Sequence, residues 1–327
     1  MSTADKRLKL AGVLNVFGPF IGLALVLGLF ALSSVRPYLF TGGNFKIILT
    51  QTVIVATGAL GMTMIIVSGG IDLSAGSAVA FTSVLGATLL LKGFSTPITI
   101  ALTVLIGGLI GLLNGSVIAA FRMMPFIVTL GTMSIVRGSA KWLAGNQTVN
   151  SPPDASLNKL MALTSPAHLF PLPTGVWIAI GLAIVVSFIM RRLVFGRYMF
   201  AVGANETTAR FSGINILRHK IMVYAFAGLF FGLAGVMQLS RLTQGDPTVA
   251  VGLELDIIAA VVIGGASLNG GSGSVLGSMI GALIMAVLRN GSSQMGWANY
   301  VQEIIIGVVI VLAVGIDLLR QRRANYN

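Results

Sequence analysis

Few residues in this chain could do chemistry. Its 327 residues include nine acids, two histidines and no cysteine, which excludes thiol chemistry and disulfides. His168 and His219 lie far apart with no ligand spacing around either, so no metal site is read. Ser and Thr are plentiful, yet no nucleophile–base pair stands out. The sharpest single residue is Asp72, set in Ser68-Gly69-Gly70-Ile71-Asp72-Leu73-Ser74 between two long apolar runs. An ionisable group at membrane depth costs about 3 kcal/mol on insertion scales and is a functional candidate by default. The plainer alternative places Asp72 at the membrane edge as the cap of the next helix, a position Asp favours. Gly69, Gly70 and Gly76 permit close helix packing, or an unwound backbone whose N–H and C=O groups would meet a solute's hydroxyls.

A second glycine-rich stretch echoes the first. Val67–Ser77 reads VSGGIDLSAGS and Val262–Ser272 reads VIGGASLNGGS, six identities in eleven positions. Gly264, Gly265, Ser267 and Asn269 then correspond to the segment around Asp72. Asn114-Gly115-Ser116 and Asn290-Gly291-Ser292 are a weaker echo. Transporters often contain internal repeats, and their sites lie where the repeats meet, at broken helices. Gly/Ser turns can also look alike by chance. The run Gly264–Ser274 lacks the Gly-Lys-Ser/Thr of a phosphate loop.

Two further groups are candidates for contact with partners. Asp246, Glu254 and Asp256 cluster before an apolar run, where they would pair with basic groups of an external partner or simply favour a helix N-terminus. Glu303 opens the last apolar run in the same way. Gly196–Lys220 is the polar break richest in basic charge, with Arg197, Arg210, Arg218 and Lys220. Within it Asn205 would cap a short helix through Glu206, Ala209 and Arg210, and Gly213 would end it. Such a helix would serve as a lever for a cytosolic motor; the alternative is a basic loop held on anionic lipid.

The elements that must position these residues are membrane spans. The chain is 55% hydrophobic and 9% charged, against about 25% charged in a soluble domain. A net charge of +12 would suggest nucleic acid in a soluble protein, but basic residues also collect on the cytoplasmic side of membrane spans. An all-α polytopic bundle follows, one transmembrane domain over 1–327 with ten spans. They lie at about 10–35, 45–67, 74–91, 97–120, 124 onward, 174–195, 221–240, 250–266, 274–290 and 301–319. The first, from Leu10 to Val35, has no charged residue or His over 26 positions, longer than the roughly 7–15 of a signal peptide. Cytoplasmic segments are expected at 1–9, 196–220 and 320–327, an outer loop at 145–172, and both termini inside. Arg137 and Lys141 would snorkel to headgroups, and Arg289 would lie outside.

Three stretches carry a resemblance to a known family. SGGIDLSAGS at 68–77, GRYMFAVGANETTARFSGIN at 196–215 and ELDIIAAVVIGGASLNGGSGSVLGSMIGALIMAVLRNG at 254–291 resemble the ribose/xylose/arabinose/galactose branch of bacterial ABC importer permeases, over roughly residues 10–320. The resemblance implies a homodimer in the inner membrane. It implies a periplasmic sugar-binding protein that delivers a monosaccharide, and a cytosolic ATPase with two nucleotide-binding halves. This chain would hold no cofactor; ATP and magnesium would bind the ATPase. Gly203, Asn205, Thr208 or Ala209, Ser212, Gly213 and Ile214 correspond to the family's coupling loop, and Glu206 and Arg210 within it are further candidates for ATPase coupling. Ala75, Ala204 and Ala266 depart from the usual valine, glycine and threonine, which leaves the sugar open.

The reading is therefore the permease subunit of an ATP-driven monosaccharide importer, not itself an enzyme. Its pathway would run by Ser68, Gly69, Gly70, Asp72, Ser74, Asn114, Gly264, Gly265, Ser267 and Asn269. The binding protein would dock near Asp246, Glu254 and Asp256. An ion-coupled secondary sugar transporter is the first alternative, although such proteins bury several ionisable relays and only Asp72 fits. An intramembrane sugar-lipid transferase is the second.

Overall fold

The computed structural model describes residues 3–164 and 172–325. His168 and part of the expected outer loop, 165–171, lie outside the described residues, as do residues 1–2 and 326–327 of the expected termini. Helices dominate. In chain order they are α1 (Thr3–Ala31), α2 (Arg36–Leu39), α3 (Gly42–Val67), α4 (Ala75–Leu91), α5 (Thr96–Phe121), α6 (Pro125–Leu143), α7 (Thr174–Arg192), α8 (Val194–Ala204), α9 (Glu206–Phe211), α10 (Ile216–Leu242), α11 (Leu253–Ile263), α12 (Val275–Gln294) and α13 (Asn299–Asn325). Two strands of two residues, β1 (Val149–Asn150) and β2 (Gln244–Gly245), pair antiparallel with Val149 opposite Gly245.

Among the described residues five helices are long and apolar enough to cross a membrane: α3, α5, α7, α10 and α12. Shorter apolar helices run over Phe17–Ala31, Ala75–Leu91 and Asn299–Leu312. Every expected span has a helix, but two are shorter than expected. The span placed at 250–266 is an 11-residue helix, Leu253–Ile263, about 16 Å long at 1.5 Å per residue, while the hydrocarbon core is about 30 Å thick. Residues 246–252 approach it as irregular backbone, and Gly252 enters α11 with φ +79°. The span expected at 174–195 also stops early. Leu193 turns extended (ψ 154°), and α8 begins at once where a loop was expected.

Burial separates a protein-solvated centre from a lipid-facing rim. The most apolar window of α3 is 94% buried, whereas those of α5 and α7 are 28% buried. Leu105, Leu113, Ile184 and Phe188 point outward from these two, as expected of a surface against lipid tails. Among the central helices, α5 crosses α10 closely because glycines meet. A Cβ on Gly107 would fall 2.5 Å from the Gly228 carbonyl and 2.6 Å from Gly232 Cα. Small residues permit this close approach in a bilayer. Buried hydroxyls return to their own helix: Thr57 Oγ1 donates to the Val53 carbonyl (2.7 Å) and Thr63 Oγ1 to that of Ala59 (2.6 Å).

The bundle has two unlike ends. One carries the C-termini of α3, α5 and α11, the start of α10, and α8 with α9. The other carries the β1–β2 ribbon and the segment after Pro152. There the Ser240 hydroxyl donates to the Leu157 carbonyl (2.7 Å) and accepts from Met161 N–H (3.0 Å). Leu157 is fully buried, so this loop packs onto the bundle.

Candidate functional site

Both helix breaks end by the same backbone device. After α3, Gly69 N–H donates to the Ile66 carbonyl and Gly70 N–H to that of Ile65. After α11, Gly265 donates to Val262 and Ala266 to Val261. This is the double bond of a Schellman cap around one left-handed residue: Gly69 at φ +79° and Gly265 at φ +90°. The first break uses the first glycine of its pair and the second break the second, so the sequence echo is shifted by one residue in space. The breaks also touch, since Gly271 N–H donates to the Val67 carbonyl (2.9 Å). Asn114 and Asn290, paired in the weaker echo, lie at opposite ends. Asn114 meets Asp72, while Asn290 exchanges amide bonds with Asn44 (2.9 and 3.0 Å).

Asp72 is fully buried. Its Oδ1 accepts from Ser74 N–H (2.8 Å) and Ser74 Oγ (2.6 Å), and its Oδ2 from Asn114 Nδ2 (3.3 Å). Asn114 also donates to Ser74 Oγ (2.9 Å). Above this, the Tyr224 hydroxyl donates to the Ile71 carbonyl (3.2 Å). Asn114 lies seven residues before the end of α5, about 10 Å inward along the helix. Asp72 therefore turns the chain into α4 well inside the bundle, its carboxylate holding the N–H and hydroxyl of Ser74, the residue before α4. Uncharged polar donors saturate the carboxylate and tie the break to α5. Ser68 is nearly buried with its Oγ unpartnered among the described residues. Gly70, Gly264 and Ser267 are buried, whereas Gly69, Gly265 and Asn269 are exposed at the α9 end. The sequence-named pathway residues thus divide into a closed polar cluster around Asp72 and an exposed rim of backbone.

The short helix α9 forms where expected. Asn205 Oδ1 accepts from Thr208 N–H (2.9 Å), and Gly213 (φ +86°) ends it with Ile214 N–H returning to the Ala209 carbonyl. Glu206 bridges Arg210 (3.3 Å) and Lys220 on α10 (2.6 Å). Ala209 is the buried face, packed with Val202, Ile214 and Ile216. Ser212 Oγ bonds back to the Thr208 carbonyl. Phe211 points the other way at 88% exposure. A cleft of about 530 Å³ opens beside α9, between the end of α5 and the start of α10, lined in part by Arg122, Met123, Glu206, Arg210 and Lys220. Sequence reasoning passed over Phe211, although an aromatic residue isolated in a polar loop is a signal in itself.

The expected acidic docking group divides. Asp246 is half-buried and holds Thr248 through its N–H and hydroxyl (both 2.7 Å). Glu254 is half-buried too, and its Oε1 accepts from Gly252 N–H (3.3 Å). Asp256, expected in the same group, points inward. Its side chain is 3% exposed and forms a two-pronged pair with Arg289, Nε to Oδ2 at 2.6 Å and Nη2 to Oδ1 at 2.9 Å. Residues two apart on a helix lie about 200° around the axis, so Glu254 and Asp256 cannot share a face. Arg289, expected outside, is this internal partner. Arg137 does not snorkel either: it donates to the carbonyls of Pro247 (3.2 Å), Val249 (2.7 Å) and Ala250 (3.3 Å). Irregular backbone at membrane depth survives only where its polar groups are satisfied, and one guanidinium fork does this for three carbonyls.

A bundle of outward-facing and buried apolar helices, with paired glycine breaks and a short folded helix at one end, defines a polytopic helical membrane protein. Residues 44–314 match the family described as the branched-chain amino acid transport system / permease component, and the chain belongs to that family. It is 38% identical over 301 residues to the ribose import permease protein of Escherichia coli strain K12, covering 91% of this chain and 93% of that one. The Bacillus subtilis strain 168 ribose import permease protein is 35% identical over 318 residues, 97% of each chain. The L-arabinose ABC transporter permease protein of Azospirillum brasilense is 37% identical over 315 residues, 93% of this chain and 89% of the other. No solved structure gives a significant match. The chain is accordingly a multi-pass membrane protein and a transporter subunit, not an enzyme.

Proposed function

We propose that this chain is the membrane-spanning subunit of an ATP-driven, binding-protein-dependent importer that moves a monosaccharide from periplasm to cytoplasm. The observation that carries the reading is the similarity, over more than nine-tenths of the chain, to permeases whose names specify ribose and arabinose import. The α9 end is then cytoplasmic, with both chain termini on that side. A separate ATPase with two nucleotide-binding halves, holding ATP and magnesium, contacts α9 through Phe211 and Arg210. The sugar-binding protein docks at the other end, over Asp246, Glu254 and the β1–β2 ribbon. Two copies of the chain form the pathway, lined near Ser68–Ser74 and Gly264–Asn269.

Geometry supports this assignment of roles. The exposed face of α9 presents an aromatic side chain beside a basic one, the residue types that dominate binding energy at interfaces, while Ala209 anchors the helix below. An ion-coupled transporter would need a relay of ionisable groups. Asp72 contacts Ser74 and Asn114 instead, neither of which carries a second charge.

Purification of the tagged chain from native membranes in mild detergent, with mass spectrometry of what accompanies it, tests the reading. The expected companion is a cytosolic ATPase with two nucleotide-binding halves, and sugar uptake by intact cells should stop when ATP is depleted. A chain that comes alone, with uptake that survives ATP depletion and collapses with an uncoupler, would transfer the assignment to the ion-coupled class.

A further inference from the structure

The lever and the two breaks meet through backbone alone. A Cβ on Gly203, next to last in α8, would collide with the Val67 carbonyl and would lie 2.6 Å from the Gly271 nitrogen. One on Gly270 would lie 2.8 Å from the Gly203 carbonyl and 2.9 Å from Gly69 Cα, and one on Gly271 would lie 2.9 Å from Ala204 Cα. Gly271 N–H closes the triangle on the Val67 carbonyl at 2.9 Å. Asn205, the cap of α9, follows Ala204 directly. Three chain segments distant in sequence therefore interlock one residue from the lever, with no side chain between them.

We propose that Gly203, Gly270 and Gly271 are positioning residues that fuse the end of α8 to both helix breaks, so that 67–71, 203–204 and 269–271 move as one unit when α9 is displaced. The proposal rests on the reading of α9 as the ATPase contact. Side-chain contacts accommodate displacement by changing rotamer, whereas touching backbones have no such freedom. The Val67 carbonyl is among the last of α3, which find no partner within the helix, and parting the segments would strip it of the Gly271 N–H. Motion of α9 is thus delivered to both breaks at once. If the glycines serve only static packing, the segments are free to separate during the cycle.

The natural absence of cysteine makes a direct test available. A Cβ on Gly271 would lie 3.1 Å from that of Ala204, so the two segments need part by only a few tenths of an ångström to reach the roughly 3.5–4.5 Å span of a disulfide. Ala204→Cys/Gly271→Cys is assembled with the ATPase and binding protein in liposomes, with Gly271→Ala as the control for the φ of +72° at that position. The oxidised transporter is expected to import as much sugar per ATP as its own reduced form, within about twofold, whatever loss the Gly271 substitution itself causes in Gly271→Ala. A loss of about tenfold or more on oxidation alone, or failure of the bond to form, overturns the proposal.

A second measurement avoids the strained glycine. Exposed Ala204→Cys, carrying a photoactivatable group, should capture residues 267–272 with equal yield in nucleotide-free and ATP-loaded complexes. Loss of capture in either state overturns the proposal. Gly203→Ala should keep the ATPase bound while lowering sugar imported per ATP by about tenfold; a wild-type ratio would count against it. If the wild-type chain retains no ATPase, the functional reading fails, and that result is separate from cross-linking within the isolated chain.

Discussion

Arg137→Met removes the clamp on the irregular segment before α11 while keeping the length and apolar stem of the side chain. Three carbonyl acceptors lose their donor, at 2.7, 3.2 and 3.3 Å. A hydrogen bond to a charged group contributes about 1.5–3 kcal/mol, and a buried acceptor left unpaired costs about 1–3 kcal/mol. Only the Val249 bond is short, and Arg137 is only partly buried, so water replaces part of what is lost. A net cost of about 2–4 kcal/mol follows, borne locally by 247–252. At 1.4 kcal/mol per factor of ten, amide exchange there should accelerate roughly 30- to 700-fold in detergent or nanodiscs, while α3 stays protected. Arg137→Lys should fall between, because a compact ammonium cannot span three carbonyls as a planar fork does. Exchange in Arg137→Met within about threefold of wild type would refute the reasoning, since it would mean that the carbonyls never depended on the guanidinium.

Other perturbations test the remaining contacts. Arg289→Leu should destabilise the chain by about 2–4 kcal/mol in thermal or denaturant unfolding, because it strands the buried Asp256 carboxylate; Asp256→Leu should cost less, because Arg289 is 37% exposed and its charge reaches solvent, and the double change should cost less than the sum. Phe211→Ala should leave insertion intact and weaken ATPase binding by about 10- to 100-fold, measured by titrating the purified ATPase onto nanodiscs. Asn205→Ala should cost α9 about 1 kcal/mol of helix stability, and Gly213→Trp should cost more because its φ of +86° strains any side chain. Both should reduce ATPase recovery on pull-down with normal chain abundance in the membrane.

The span pattern was legible because apolar runs of about 20 residues admit few readings. The short helix α9 was legible too, since Asn205 and Gly213 are separated by one short helix and each has a local backbone job. The failures share a cause. Arg137, Arg289 and Asp256 were judged by their distance along the chain from apolar runs, but their partners lie 110–113 and 33 residues away. No local rule contains those separations. The shortness of α11 was hidden for a different reason: irregular backbone across Asp246–Gly252 has the same hydropathy as helix when the chain itself supplies its hydrogen bonds. Asp72 was narrowed to two settings by sequence, and only the depth of Asn114 placed it inside.

The near-complete burial of α3 changes what its apolar letters mean. On α5 and α7 an outward leucine is a statement of solubility in hydrocarbon, and isoleucine, phenylalanine or methionine says the same thing. Along α3 from Thr52 onward the side chains are buried, with Ile257 pressed against Gly58 and Ala227 against Gly61, so each letter there specifies shape. A library shuffling only hydrophobic residues would pass nearly unnoticed along the outer faces of α5 and α7. The same library would be lethal along α3. Hydropathy sees these helices as synonyms, yet one vocabulary addresses the lipid and the other addresses the fold.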